Sequence, residues 1–303
     1  MNAVVETREL TKVFDGRAVV NRAELSVPKA TIYGIVGANG AGKSTLLRML
    51  IGLYRPSFGE ISLLGKSLTE RDVTVRQRVH YVGTDVELPR AFRVRELLTY
   101  ASLLYENWDQ KRCDILLDAL SLPRGQLIRN LSTGMKAQLR LALALSARPE
   151  LLILDEPTNG LDPVVKRQML QLIVQEAAQG TTVIIATHQL DDLDRIADGV
   201  VMMFQGKVVA SGMIDQLKHS VKEIQVVMPQ RLPPAFEQHP QIIHVERKGQ
   251  LYTLRVEGEI SPFVAQLKEV GATYVEVFDV GIDQLFHHVM GKEGYTRDGI
   301  LLP

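Results

Sequence analysis

The stretch Gly37-Ala-Asn-Gly-Ala-Gly-Lys-Ser-Thr45 constrains this chain more than any other. Gly37, Gly42, Lys43 and Ser44 fall at the spacing of a phosphate-binding loop, residues 31–36 before it read as a short buried strand, and residues 44–51 after it as an apolar-faced helix. Three glycines at 37, 40 and 42 let the backbone turn tightly and aim successive N–H groups inward, while the following helix adds the positive end of its dipole. The product is a socket for a polyphosphate. Lys43 would reach the β- and γ-phosphates as a point charge, and the Ser44 hydroxyl would serve magnesium, a hard cation that prefers oxygen. A glycine-rich turn without a ligand is the bland alternative, and the flanking strand and helix argue against it.

With 303 residues, the chain has room for two ordinary domains. Hydrophobic residues at 46% and charged residues at 23% are the balance of a globular protein with a real core. Lys plus Arg and Asp plus Glu both total 35, so no net field draws the chain to nucleic acid or to an anionic membrane. Cys113 is the one cysteine, which excludes an intramolecular disulfide. The amino terminus has no apolar signal core, and no run approaches the roughly 18 apolar residues of a membrane span. A cytoplasmic protein is expected, one that works at a membrane only by docking on another subunit.

Residues 3–10 and 18–27 alternate around Asp15-Gly16 and predict an antiparallel edge sheet, with Phe14 just before the turn, where it could stack on a purine or close a hairpin core. Residues 79–82 read as a buried strand, and residues 94–131 and 134–147 as mostly helical, with Asp109 as an N-cap. The run Leu151-Leu-Ile-Leu-Asp-Glu156 predicts a central parallel strand whose two acids emerge at its carboxyl end, beside the phosphate loop. Residues 181–187 are another such strand, ending in His188. From residue 218 the pattern changes to βαββαβ, a small ferredoxin-like sandwich closed by a helix over 282–290.

An aspartate placed like Asp155 can hold magnesium, and a glutamate placed like Glu156 can orient and deprotonate water. His188 could sense the γ-phosphate, although a lone histidine is more often structural.

These residues, with Leu131-Ser-Thr-Gly-Met135 and Gly160-Leu-Asp162, resemble the nucleotide-binding subunit of an ATP-binding-cassette transporter, most closely the ATPases of ABC-2-type bacterial exporters. The resemblance implies an α/β fold of the P-loop NTPase class over residues 1–217, with a mixed sheet core, an antiparallel edge sheet and a helical subdomain at about 85–147. The small α+β domain over 218–303 would be accessory. It implies ATP and Mg2+ as ligands, with Gly37, Asn39, Gly40, Ala41, Gly42, Lys43, Ser44 and Thr45 around the phosphates. Phe14 would lie on adenine, and Ser44 and Asp155 at the metal. Glu156 would be the base, assisted by Lys43 and by His188 as switch histidine. Ser132 and Gly134 would reach the nucleotide of an opposite subunit, itself or a paralogue, with Asp162 joining the two sites. Integral membrane permease subunits would dock near residues 83–100.

Two departures from the family pattern stand out. Thr133 and Met135 occupy signature places usually held by Gly and Gln. Thr84 stands where the family's magnesium-touching glutamine lies, so Thr84, Asp85 and Glu87 are the candidates for its oxygen, with Thr84 expected at the metal. The competing function is a soluble cassette ATPase of translation or DNA repair. Such proteins typically carry two cassettes or long coiled-coil insertions, and neither appears in this sequence.

Overall fold

The computed structural model describes residues 3–68, 73–237 and 239–293. The chain divides into two compact units, Met1–Ser211 and Gly212–Pro303. In the first, β1 (Ala3–Phe14) and β2 (Arg17–Pro28) form the expected hairpin. Asp15 and Gly16 both take positive φ, which matches the turn to the twist of the strands. After β3 (Ile32–Gly37) and α1 (Lys43–Leu50), β4 (Phe58–Leu63) adds to β1, and the two-residue β5 (Lys66–Ser67) closes a four-stranded antiparallel sheet.

The central sheet is built from β3, β6 (Val79–Gly83), β7 (Leu151–Asp155), β8 (Thr182–Ala186), β9 (Gly199–Phe204) and β10 (Lys207–Met213). Between them come α2 (Val73–Arg76), α3 (Val94–Leu104), α4 (Gln110–Ala119), a 3-10 turn (Ile128–Asn130), α5 (Thr133–Ser146), α6 (Pro163–Ala178) and α7 (Leu190–Ile196). The strand order is β10-β9-β3-β8-β7-β6, and the pairs β3–β8, β3–β9, β7–β8 and β6–β7 are parallel. Every residue of β3, β7 and β8 is buried, which is why these segments carry no polar alternation.

In the sheet, β8 lies between β7 and β3. Helix α1 packs on both β7 and β8. The acidic pair therefore meets the phosphate loop across the top of one intervening strand. In register, Gly83, Asp155, Ala186 and Ile35 form one row at the carboxyl end of the sheet.

His80 on β6 is 4% exposed, its ring centroid 4.6 Å from that of Tyr105 and its Nε2 3.2 Å from the Gln77 carbonyl. Burial lowers its pKa below 6.5, and the Gln77 carbonyl only partly opposes this. The unfolded chain thus binds a proton at a higher pH than the folded one. His80 contributes stability that is complete above pH 6.5 and is lost as the pH falls through its lowered folded pKa. Replacing His80 with phenylalanine should flatten the acid side of the stability curve by at most about 1.4 kcal/mol per pH unit, the limit for one proton. Urea unfolding of both proteins from pH 7.5 to 5 checks this; parallel curves would refute it.

In the second unit, α8 (Ile214–His219) leads into β11 (Val221–Val227), α9 (Pro234–Glu237), β12 (Ile242–Lys248), β13 (Leu251–Glu257), α10 (Ser261–Glu269), β14 (Tyr274–Asp279) and α11 (Ile282–Lys292). The antiparallel order β12-β13-β11-β14 is the ferredoxin-like arrangement. Ile224, Val226, Tyr252, Leu254 and Val256 pack with Phe263 and Leu267 of α10 into one core. The expected division at residue 217 falls inside α8, which packs on α11 and β11 and so belongs with the second unit.

Candidate active site

The phosphate loop needs its glycines for different reasons. A Cβ on Gly42 would lie 2.6 Å from the Val19 carbonyl oxygen, at φ +102°, and one on Gly37 would lie 2.5 Å from the Met203 carbonyl oxygen. Both positions are closed to any side chain. Gly40 has open space around it but a φ of +81°, so its demand is conformational. Gly42 then caps α1 in the left-handed region with no side-chain cap bond, and the first turn contains no acidic residue. The first N–H groups of that helix are left for an outside acceptor.

Lys43 is 6% exposed, and its Nζ donates to the Gly37 carbonyl at 2.7 Å and the Ala38 carbonyl at 3.4 Å. Burial lowers its pKa, while Glu156 and Asp155 pull it back up. The ammonium is thus folded back over the loop, ready to exchange two carbonyls for a stronger anionic acceptor. A cavity of about 260 Å³ is lined by Val19, Asn39 to Thr45 and Glu156. Larger concavities elsewhere, such as the one of about 840 Å³ at the amino ends of β7 and β8, include neither the phosphate loop nor Glu156. Phe14 is not among the cavity's lining residues. It is 40% exposed, its ring edge-on to Tyr54 at 5.6 Å and with the Lys12 ammonium 5.0 Å from its centroid.

Asp155 is 7% exposed, and its Oδ1 is a buried oxygen with no hydrogen-bond partner. Burial raises its pKa against the Ser44 and Tyr81 hydroxyls, which lower it. A carboxylate oxygen left bare beside a serine hydroxyl suits a hard cation, so the donor set fits magnesium. Among the described residues no three His, Cys, Asp or Glu side chains converge as a metal cage. Magnesium needs none, because it usually takes one or two protein oxygens together with substrate phosphates and water.

Glu156 begins the turn after β7 with φ +50°, a region that non-glycine residues enter only under constraint. Its backbone N–H is fixed to the Ala186 carbonyl at 2.9 Å. Its carboxylate lies 2.9 and 3.0 Å from His188 Nδ1 and accepts from the Thr187 hydroxyl at 3.3 Å. Three successive β8-end groups thus hold one acid toward the cradle.

Other expected residues lie apart from this cluster. Ser132 caps α5, its hydroxyl oxygen accepting from the Met135 N–H at 3.1 Å, and is exposed. A Cβ on Gly134 would meet nothing nearer than Val165 at 3.7 Å, so the fold of this chain does not require glycine there. Asp162 caps α6 by accepting from the Val164 and Val165 N–H groups, both at 3.0 Å. Thr84 is exposed, and the hydroxyl that reaches Asp155 is instead that of Tyr81, at 3.2 Å. Sequence reasoning missed Tyr81, Thr187 and Val19. Thr187 had a signal in its place beside His188, and the other two had none.

Comparisons with known proteins agree with this arrangement. The family described as ABC transporter matches residues 20–159. The daunorubicin/doxorubicin resistance ATP-binding protein DrrA of Streptomyces peucetius is 36% identical over 222 residues, covering 72% of this chain and 67% of that protein. The bacitracin transport ATP-binding protein BcrA of Bacillus licheniformis is 31% identical over 292 residues, covering 89% of this chain and 94% of its own length. A solved ATP-binding subunit of an ABC transporter matches with a TM-score of 0.67 and 28% identity, over 71% of this chain and 92% of that one. Relatives of this length and identity, together with the sheet and loop described above, make the chain a member of the ABC transporter family, an ATPase subunit with the ABC ATPase fold.

Proposed function

We propose that the chain is the ATP-hydrolysing subunit of a bacterial ABC exporter, binding MgATP in a head-to-tail dimer and driving integral membrane permease subunits from the inner face of the cell membrane. The observation that carries this reading is that Glu156, held by His188 and Thr187, lines the same cavity as the phosphate loop. Lys43 and the loop N–H groups bind the triphosphate. Glu156 takes a proton from the attacking water while His188 holds its carboxylate. Ser44 and Asp155 would hold the magnesium, which would supply charge neutralisation to the triphosphate.

Groups that one protomer leaves unused support the dimer. Ser132 and the first N–H groups of α5 are a second anion-binding terminus, and Gly134 is small without an intramolecular reason. In the head-to-tail arrangement they close the partner's site, and Asp162 lies at the seam. The partner is a second copy or a paralogous ATPase. Val86, Phe92, Tyr100, Leu103 and Leu104 form an exposed apolar series around 83–104, which suits docking by a membrane subunit. No helix among the described residues is long and apolar enough to cross a membrane itself. The transport role named for the bacitracin relative and the export role named for the Nod factor export ATP-binding protein I of Burkholderia orbicola support this reading by likeness, and equal numbers of acidic and basic residues supply no net field toward nucleic acid.

Cysteines placed at Ser132 and at Asn39, both exposed, test the arrangement. The native Cys113 is buried and should not interfere. Oxidation with ATP and magnesium present should give covalent dimers of the double-cysteine protein; monomers alone would overturn the head-to-tail dimer.

A further inference from the structure

The Tyr81 hydroxyl stands between two carboxylates, 3.2 Å from Asp155 Oδ2 and 3.1 Å from Asp85 Oδ1. A phenol has one hydrogen to give, and an ionised carboxylate can only accept. Tyr81 therefore serves one acid fully only by releasing the other. Asp85 has an alternative partner, since its Oδ2 is held by Arg48 Nη2 at 2.7 Å. Asp155 has the Ser44 hydroxyl beside it, while its Oδ1 is left without a hydrogen-bond partner.

The hydroxyl reaches both acids because residue 83 is glycine. A Cβ there would lie 2.4 Å from both the Tyr81 oxygen and Asp85 Oδ1. The three residues Tyr81, Gly83 and Asp85 thus form one local device around the end of β6. Its ends are anchored to two helices. Arg48 belongs to α1, the helix that opens with Lys43, and the next residue after Asp85, Val86, accepts from Arg140 of α5 at 3.0 Å.

We propose that Tyr81 is a positioning residue for Asp155: by donating to Oδ2 it turns the bare Oδ1 toward the magnesium, and Asp85 competes for that same hydrogen, linking metal binding to the segment that leads into α3. This rests on the reading of residues 37–45, 155 and 156 as a MgATP site. It assigns to a phenol and an aspartate the place that Thr84, standing where the family's glutamine lies, would otherwise fill. Pinning one carboxylate oxygen fixes the direction of the other, which is how outer partners generally tune a metal ligand.

The test is the affinity of the ATP-loaded full chain for Mn2+, used as a spectroscopic probe for Mg2+ and followed by electron paramagnetic resonance. ATP affinity in EDTA is measured alongside. Tyr81→Phe keeps the ring and removes the hydroxyl; it should weaken Mn2+ about tenfold and leave metal-free ATP affinity within about twofold. Asp85→Asn can no longer compete as a charged acceptor, and its Mn2+ affinity should be no weaker than that of the wild type. An unchanged Tyr81→Phe would overturn the proposal, as would an Asp85→Asn that weakens the metal as Tyr81→Phe does, or a loss confined to Thr84→Ala. A wild-type chain that binds no ATP in EDTA would fail the site reading itself, which separates the two failures.

Discussion

Glu156→Gln is expected to keep ATP affinity and to lower turnover by about 10²- to 10⁴-fold, the range typical of general-base catalysis. Glutamine preserves the length and planarity of the side chain, so it can still accept from the Thr187 hydroxyl that now lies 3.3 Å from Oε2. Its amide cannot take a proton from water. The bound triphosphate should then persist, and with it the closed dimer that ATP holds together. Phosphate release under saturating ATP measures the first effect, and sizing chromatography with ATP and magnesium the second. Equal turnover by variant and wild type would remove Glu156 as the base, and an ATP-loaded variant that elutes only as monomer would count against the dimer.

Lys43→Ala should lose nucleotide rather than chemistry. The ammonium is almost wholly buried and its pKa is lowered by that burial, with Glu156 and Asp155 acting to keep it charged. In the free protein it is satisfied by two loop carbonyls. A hydrogen bond to a charged group contributes about 1.5–3 kcal/mol, so removing its share should weaken ATP by roughly 10- to 150-fold. Titration with a fluorescent ATP analogue measures this. Unchanged affinity would overturn the assignment of the loop.

How much of this was legible in the sequence depended on how local each feature is. Glycines 37, 40 and 42 and Lys43 lie within a few residues of one another, so spacing alone conveyed the cradle. The apolar run into Asp155 and Glu156 was readable because a strand buried on both faces carries no alternation. Alternation likewise exposed the βαββαβ order of the second unit, whose β13 buries Tyr252, Leu254 and Val256 on one face. Sheet order was not legible: nothing in residues 151–156 says that β8 separates them from β3, because neighbours in a parallel sheet are chosen by packing far along the chain. Helix α8, six residues long, was too short for its period to register. Tyr81 read as one more residue of a buried strand, since its use depends on the missing side chain at Gly83 and on Asp85 turning back beside it. Thr84 was expected by alignment with a pattern, whereas the fold leaves it exposed.

The left-handed backbone at Glu156 has a bearing on how such chains age. A side chain held at φ +50° carries a penalty of about 1–2 kcal/mol that glycine would relieve. Relief of that penalty favours glycine at this position, and the carboxylate's bonds to Thr187 and His188 oppose it together with its use on water. In a duplicated copy that had ceased to burn fuel, the use of the carboxylate would no longer hold this left-handed position to glutamate.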